Sequence, residues 1–201
     1  MGVIKEAHDF SHEEDFTLMK VGKFFKLGFY KVFMDEIEKR YLVKDVPEDL
    51  DEYPSEILED NYIPPTSRHP IIRIRRIGNK YFITKKKLLR EDSKNFAKEE
   101  TIILDKDEYN YLKDIPGKKL RKKRYQYKWN GRDCEVDVYE DDLKGLVIMD
   151  FEFDSEEEMI DFKKPDFCIE IIDEECIAGG YLCGKSFEDV REIIEENIKV
   201  G

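Results

Sequence analysis

The segment Glu36-Ile37-Glu38-Lys39-Arg40-Tyr41-Leu42-Val43 constrains this chain most. Side chains on an extended strand alternate faces with a period of two. That period puts Glu36, Glu38 and Arg40 on one face, with Ile37 and Tyr41 on the other. Neighbouring carboxylates repel, so something cationic should lie between them. The arrangement recurs down the chain in both signs. Arg73-Ile74-Arg75 is one basic pair, Lys122-Lys123-Arg124 another, and Lys86 follows Thr84 at the same spacing. The acidic set is Glu135-Val136-Asp137 and Asp150-Phe151-Glu152, with Glu99 two residues before Thr101. The opposite face in these segments is mostly apolar: Ile72 and Ile74, Val136 and Val138, Phe151 and Phe153.

A half-buried strand ordinarily has one apolar face and one solvated face of mixed sign. Charged residues are 41% of this chain, so any single charged pair at this spacing reads as plain surface. The sorting by sign across many strands argues otherwise, because like charges on neighbouring positions destabilise a sheet unless a ligand offsets them. A face with acidic and basic clusters suits a polyanion held with a divalent metal. Mg²⁺ takes hard oxygen ligands, typically one or two carboxylates plus substrate phosphates. Arg and Lys neutralise the phosphates.

The length of 201 residues predicts one domain with a substantial core. Net charge is −12, which argues against non-specific binding of duplex nucleic acid. A local basic groove is compatible with that balance, and the clusters above would build one. Cys134, Cys168, Cys176 and Cys183 form no CxxC pair and read as reduced thiols of a cytoplasmic protein. His8, His12 and His69 are the only histidines, and a lone HxxxH is a weak zinc signal. No apolar stretch is long enough to span a bilayer. The aromatic segment Leu18 to Met34 is broken by Lys20, Lys23, Lys26 and Lys31. Such a segment can lie on a membrane surface, but packing against the folded domain through its Phe residues is the preferred reading.

Residues 1–33 read as an N-terminal extension and 34–201 as the domain. Strands are predicted at 34–43, near 70–77 and 80–87, and at 98–104. Two more run from 119 to 129 and from 132 to 139, and a last one from 146 to 153. Val46 to Glu59 reads as a polar helix or turn region with Pro47 and Pro54, and Ile63-Pro64-Pro65 as a loop. Gly78-Asn79 and Asn130-Gly131 are hairpin turn signals. Asp105 with Glu108, Ser155 with Glu158, and Ser186 with Asp189 are helix starts. In the last helix Val190, Ile193, Ile194 and Ile198 make one apolar stripe, read as core packing. Many short antiparallel strands with one charged face suggest a closed barrel around a lumen, its apolar outside covered by helices. The fold class is thus α+β, mainly β.

These residues resemble the CYTH superfamily, the triphosphate tunnel metalloenzymes, from about Met34 to Phe167. Glu36 to Val43 looks like the family's ExExK signature. Supporting elements are Pro47-Glu48-Asp49-Leu50, Asn61-Tyr62, Ile72 to Arg75, Tyr81 to Lys86, Lys122 to Tyr125, Glu135 to Tyr139, Gly145-Leu146 and Phe151-Glu152-Phe153. The resemblance implies an eight-stranded antiparallel tunnel barrel with flanking helices. It also implies dependence on Mg²⁺ or Mn²⁺. The implied metal ligands are Glu36, Glu38, Glu99, Glu135, Asp137, Asp150 and Glu152. Arg40, Arg73, Arg75, Lys86, Lys122 and Arg124 would grip phosphates, and Glu36, Glu38, Arg40 and Lys86 would form the catalytic set. Three positions depart from the family pattern. Arg40 replaces its signature lysine, Asp150 is a methylene shorter than its usual Glu, and Thr101 stands where a second tunnel carboxylate is common.

The expected activity is metal-dependent hydrolysis of the terminal phosphoanhydride of tripolyphosphate, thiamine triphosphate or a nucleoside triphosphate. The rivals are a class IV adenylate cyclase making cyclic AMP from ATP, and a non-catalytic polyphosphate-binding module. No GxSxG elbow or P-loop is present in the sequence. A monomer or homodimer acting on a small-molecule triphosphate is expected.

Overall fold

In the computed structural model the described residues are 32–68, 70–88 and 96–198. His8, His12, His69 and most of the Leu18 to Met34 segment fall outside them. The strands are β1 (Val32–Val43), β2 (Ser55–Ile63), β3 (Ile72–Ile77), β4 (Lys80–Leu88), β5 (Phe96–Leu104), β6 (Lys118–Trp129), β7 (Arg132–Tyr139), β8 (Val147–Phe153) and β9 (Cys168–Glu170). All pair antiparallel, in the order β5-β4-β3-β2-β6-β7-β8-β1-β9. β1 also pairs with β5 from Val32 to Ile37, so the order returns on itself. Above Ile37 that edge of β1 belongs to β9, which pairs with Tyr41 to Val43. Ladder closure therefore runs along the first half of β1 only.

Among the described residues the strands number nine, not the expected eight. The added strand is the short β9, whose three residues carry no alternation to read. The stretch expected to be helix or turn up to Glu59 instead holds a single helical turn at Leu50–Glu52 and then the start of β2. Pro47, Pro54 and the acidic side chains of this stretch dilute its alternation, while pairing with both β3 and β6 makes it a central strand.

Turn and cap chemistry acts as expected. Asn130 and Gly131 both take positive φ, 47° and 81°, as a two-residue hairpin turn requires. At the other hairpin Gly78 has φ 54°. Helix α1 (Lys106–Leu112) opens with a full capping box, Asp105 accepting from the backbone of Asp107 and Glu108 while Glu108 accepts from the Asp105 N–H. Helix α4 (Phe187–Glu196) opens on the Ser186–Asp189 box.

Two apolar clusters bracket the ring. The first uses the strand faces that point away from the charges: Tyr41, Tyr125, Val136, Met149, Phe151 and Phe153. Helix α2 (Glu156–Asp161) brings Met159 and the following Phe162 onto it. The Phe162 ring lies 4.6 Å from Phe151 and 5.2 Å from Phe153. The second cluster differs from the expected outer covering. Leu42, Tyr62, Leu120, Tyr139 and Ile148 belong to it, and each lies two residues from a charged inward residue. It therefore shares the inward face and sits at one end of the ring. The C-terminal elements close that end: the helical turn Glu174–Ile177, helix α3 (Gly179–Leu182) and α4 supply Cys176, Ile177, Tyr181, Leu182, Val190 and Ile194. The fit is tight, since a Cβ on Gly179 would meet the Tyr62 hydroxyl at 2.4 Å. All four cysteines are buried and none forms a disulfide among the described residues.

Candidate functional site

Alternation carries the charged residues inward, and strand order decides which signs become neighbours. Strands β7, β8, β1 and β5 bring the carboxylates Glu135, Asp137, Asp150, Glu38 and Glu99. Strands β4, β3 and β6 bring the cations Lys86, Arg73, Arg75, Lys122 and Arg124. Two residues break the sorting: Arg40 lies on the acidic arc, and Asp60 on β2 in the middle of the basic one. The structure joins the arcs through ion pairs.

Glu38 accepts hydrogen bonds from both Arg40 and Lys86. Arg40 Nε lies 3.4 Å from Asp150 Oδ1. Arg73 Nη2 donates to Glu99 at 2.9 Å, and Glu99 also accepts from the Thr101 hydroxyl at 3.2 Å. Thr84 and Thr101 pair through their hydroxyls at 3.0 Å. Arg75 grips Asp60 through Nε and Nη2 at 2.6 and 2.7 Å. Arg124 grips Asp137 the same way at 2.7 and 2.6 Å, reaches Glu135 with Nη1, and lies 3.7 Å from Asp150. Lys122 donates to Asp137 as well.

Burial would raise the Glu38, Asp60, Glu99 and Asp137 carboxyls, but the cations beside them outweigh it and hold all four below the usual carboxylate range. Asp150 goes the other way. Burial pushes it up to about 7, against Arg40, with the neighbouring Asp137 and Glu38 charges adding to the rise. Burial and then the Arg124 charge pull Lys122 down to about 8, although Asp137 opposes them.

Of the residues expected at the site, Glu38, Arg40, Arg73, Arg75, Lys86, Glu99, Lys122, Arg124, Glu135, Asp137 and Asp150 are thus linked through these contacts. Glu152 is directly opposite Glu38 in the β1–β8 register and more exposed. Glu36 lies on β1 opposite Ala97, and its side chain is outside the described residues. Three participants were not anticipated. Asp60 and Tyr62 sit two apart on β2, Tyr62 opposite Arg73 in the β2–β3 register, and Thr84 backs Thr101. The period-two spacing of Leu58, Asp60 and Tyr62 was the available signal for β2.

The carboxylates fit a divalent metal of the magnesium type by chemistry. Glu38 and Glu152 face each other across β1 and β8, and Glu135 and Asp150 across β7 and β8. Asp150 Oδ1 is buried and accepts no hydrogen bond among the described residues. No three acidic, His or Cys side chains among the described residues form a ready-made cluster.

No family model and no curated protein matches this chain. Solved structures do. The crystal structure of the inorganic triphosphatase NE1496 matches at 27% identity and TM-score 0.55, over 75% of this chain and 95% of that one. A second structure, of the hypothetical protein NE1496, matches at 27% identity and TM-score 0.56, over 75% and 99%. PH1012 from Pyrococcus horikoshii OT3 matches at 18% identity and TM-score 0.44, over 82% and 94%. No helix among the described residues is long and apolar enough to cross a membrane.

Proposed function

Since the chain belongs with the CYTH superfamily, we propose that it is a divalent-metal-dependent triphosphatase acting on the terminal phosphoanhydride of tripolyphosphate or of an organic triphosphate. The observation that carries this reading is the inward ring of Arg40, Arg73, Arg75, Lys86, Lys122 and Arg124, interleaved with carboxylates inside a β-barrel capped at one end. NE1496, described as an inorganic triphosphatase, supports the same reaction class.

The chain's own residues would act by position and charge. Arg73, Arg75, Lys122 and Arg124 bind the non-bridging phosphate oxygens and neutralise charge that builds on the leaving phosphate. Arg40 and Lys86 hold Glu38 ionised and oriented, so that its oxygens are ready to ligate. Glu38, Asp150 and Glu152, with Glu135, would hold Mg²⁺ or Mn²⁺. Such an ion supplies charge neutralisation between phosphates and lowers the pKa of a bound water. The C-terminal cap keeps bulk water from one end of the ring.

Binding requires exchange at Arg40, Lys86 and Arg124, whose partners Asp150, Glu38 and Glu135 are among the proposed metal ligands. With those carboxylates engaged by an ion, these cations would be free for the phosphates. That same pairing favours a second reading, a triphosphate-binding module without turnover. Phosphate release from tripolyphosphate with Mg²⁺ or Mn²⁺ tests the proposal. Metal-dependent release supports it, cyclic AMP made from ATP would point to a cyclase, and binding without turnover would leave the module. Glu38→Gln should abolish most metal-dependent release while the protein stays folded, and full activity would refute the assignment.

A further inference from the structure

We propose that Asp60 is the positioning residue for Arg75: a permanent counter-ion that fixes the guanidinium for phosphate contact and restrains affinity for the polyanion. This rests on the phosphate-gripping role given to Arg75 above. The Asp60 side chain is 0% exposed and that of Arg75 10%. Both carboxylate oxygens meet the guanidinium, Oδ1 on Nε and Oδ2 on Nη2, at 2.6 and 2.7 Å. A two-point fork of this kind fixes the plane of the group, which a single contact does not. It occupies one edge of Arg75 and leaves Nη1 outside the fork.

Arg124 makes the same fork to Asp137, but its Nη1 goes to Glu135, and Asp137 is shared with Lys122. Those carboxylates border the candidate metal side on β7 and β8, where a bound cation would compete for them. Asp60 is on β2, between the basic strands β3 and β6, away from that side. The charges of Arg73 and Lys122 also bear on it and keep it ionised. It is therefore the inward carboxylate least able to change partners when metal and substrate enter. Its charge repels phosphate, a cost in affinity. In return Arg75, two residues from the like-charged Arg73, stays in a single orientation. Turnover depends on such alignment more steeply than binding does.

The test compares Asp60→Asn and Asp60→Glu with the wild type. It uses tripolyphosphate turnover with Mg²⁺, calorimetric binding of tripolyphosphate without metal, and thermal unfolding. Asp60→Asn should lower kcat at least about ten-fold while KM stays level or falls, because a transition-state alignment is lost and a repulsive charge removed. Metal-free tripolyphosphate should bind that variant more tightly than wild type. Asp60→Glu restores the charge, so its affinity should return to the wild-type value while kcat stays reduced. A purely structural role would lower stability without tightening binding. Wild-type kcat in Asp60→Asn, or weaker tripolyphosphate binding, overturns the proposal. If Asp60→Asn does not fold, wild-type kcat in Asp60→Glu overturns it. A wild-type chain that neither binds nor hydrolyses tripolyphosphate overturns the functional reading and this proposal together, whereas an active wild type with unaffected variants overturns only this one.

Discussion

Asp137→Asn should destabilise the protein strongly, and more so at pH 6 than at pH 9. Asp137 is 1% exposed and is the shared partner of Lys122 and of the Arg124 fork. The amide is nearly isosteric, so the substitution opens no cavity and isolates the electrostatic term. Removing one partner of a buried pair costs about 3–5 kcal/mol, because the charge left behind stays desolvated. Arg124 keeps Glu135, which places the cost toward the lower end of that range. For a chain of this size each kcal/mol lowers Tm by about 2–4 °C, so the loss is about 6–12 °C. The pH dependence follows from Lys122. Its folded pKa of about 8 lies below the ordinary value of 10.5, so it favours the neutral form when folded. Loss of the anion lowers that pKa further. At pH 6 the variant folds with Lys122 charged or gives up its proton, and either course costs stability. As pH rises through 8 the proton is released in the wild type too, and the gap between the proteins narrows. Thermal unfolding of both at the two pH values measures this. A loss below about 2 °C at pH 6, or a larger loss at pH 9, would refute the reasoning.

Asp150→Asn should change the slope of stability with pH. The folded carboxyl is raised from 3.8 to about 7, so its stabilising contribution is full below pH 3.8 and lost as pH climbs toward 7. In metal-free buffer the variant's Tm relative to wild type should rise between pH 4 and 7, and a constant difference would contradict the assignment. Gly117→Ala should cost about 1–3 kcal/mol, since its Cβ would meet Asn61 Oδ1 at 2.0 Å and the Tyr62 carbonyl at 2.7 Å. Urea unfolding reads this, and a wild-type midpoint would show that the turn can shift. Phe162→Ala, which strips the aromatic lid from Phe151 and Phe153, should lower stability by about 3 kcal/mol in the same assay.

Much of the β-structure was legible because its signals are local. Arg132–Tyr139 and its partner strand declare themselves by alternation around Asn130-Gly131, a dipeptide that reaches positive φ at little cost. The boxes at Asp105 and Ser186 likewise satisfy backbone N–H groups within one turn, so they act wherever the helix docks. β2 was hidden because its prolines and acids look like a turn, and a central strand draws its stability from two neighbours that the segment itself does not contain. The capping role of the C-terminal helices was hidden for a similar reason. The stripe of Val190 and Ile194 says that one face is buried, but not whether it meets the outside of a barrel or its end.

Alternation alone puts charged side chains on one strand face and apolar ones on the other, because a pleated backbone imposes that period on any order of strands. The sequence also supplied the chemistry: carboxylates with hard oxygens, and guanidinium and ammonium groups for phosphate. Which charge answers which depends on the folded arrangement of the strands. Ion pairing acts over a few ångströms, and residues such as Asp60 and Arg75, or Glu38 and Lys86, reach that range only once the strand order brings them together.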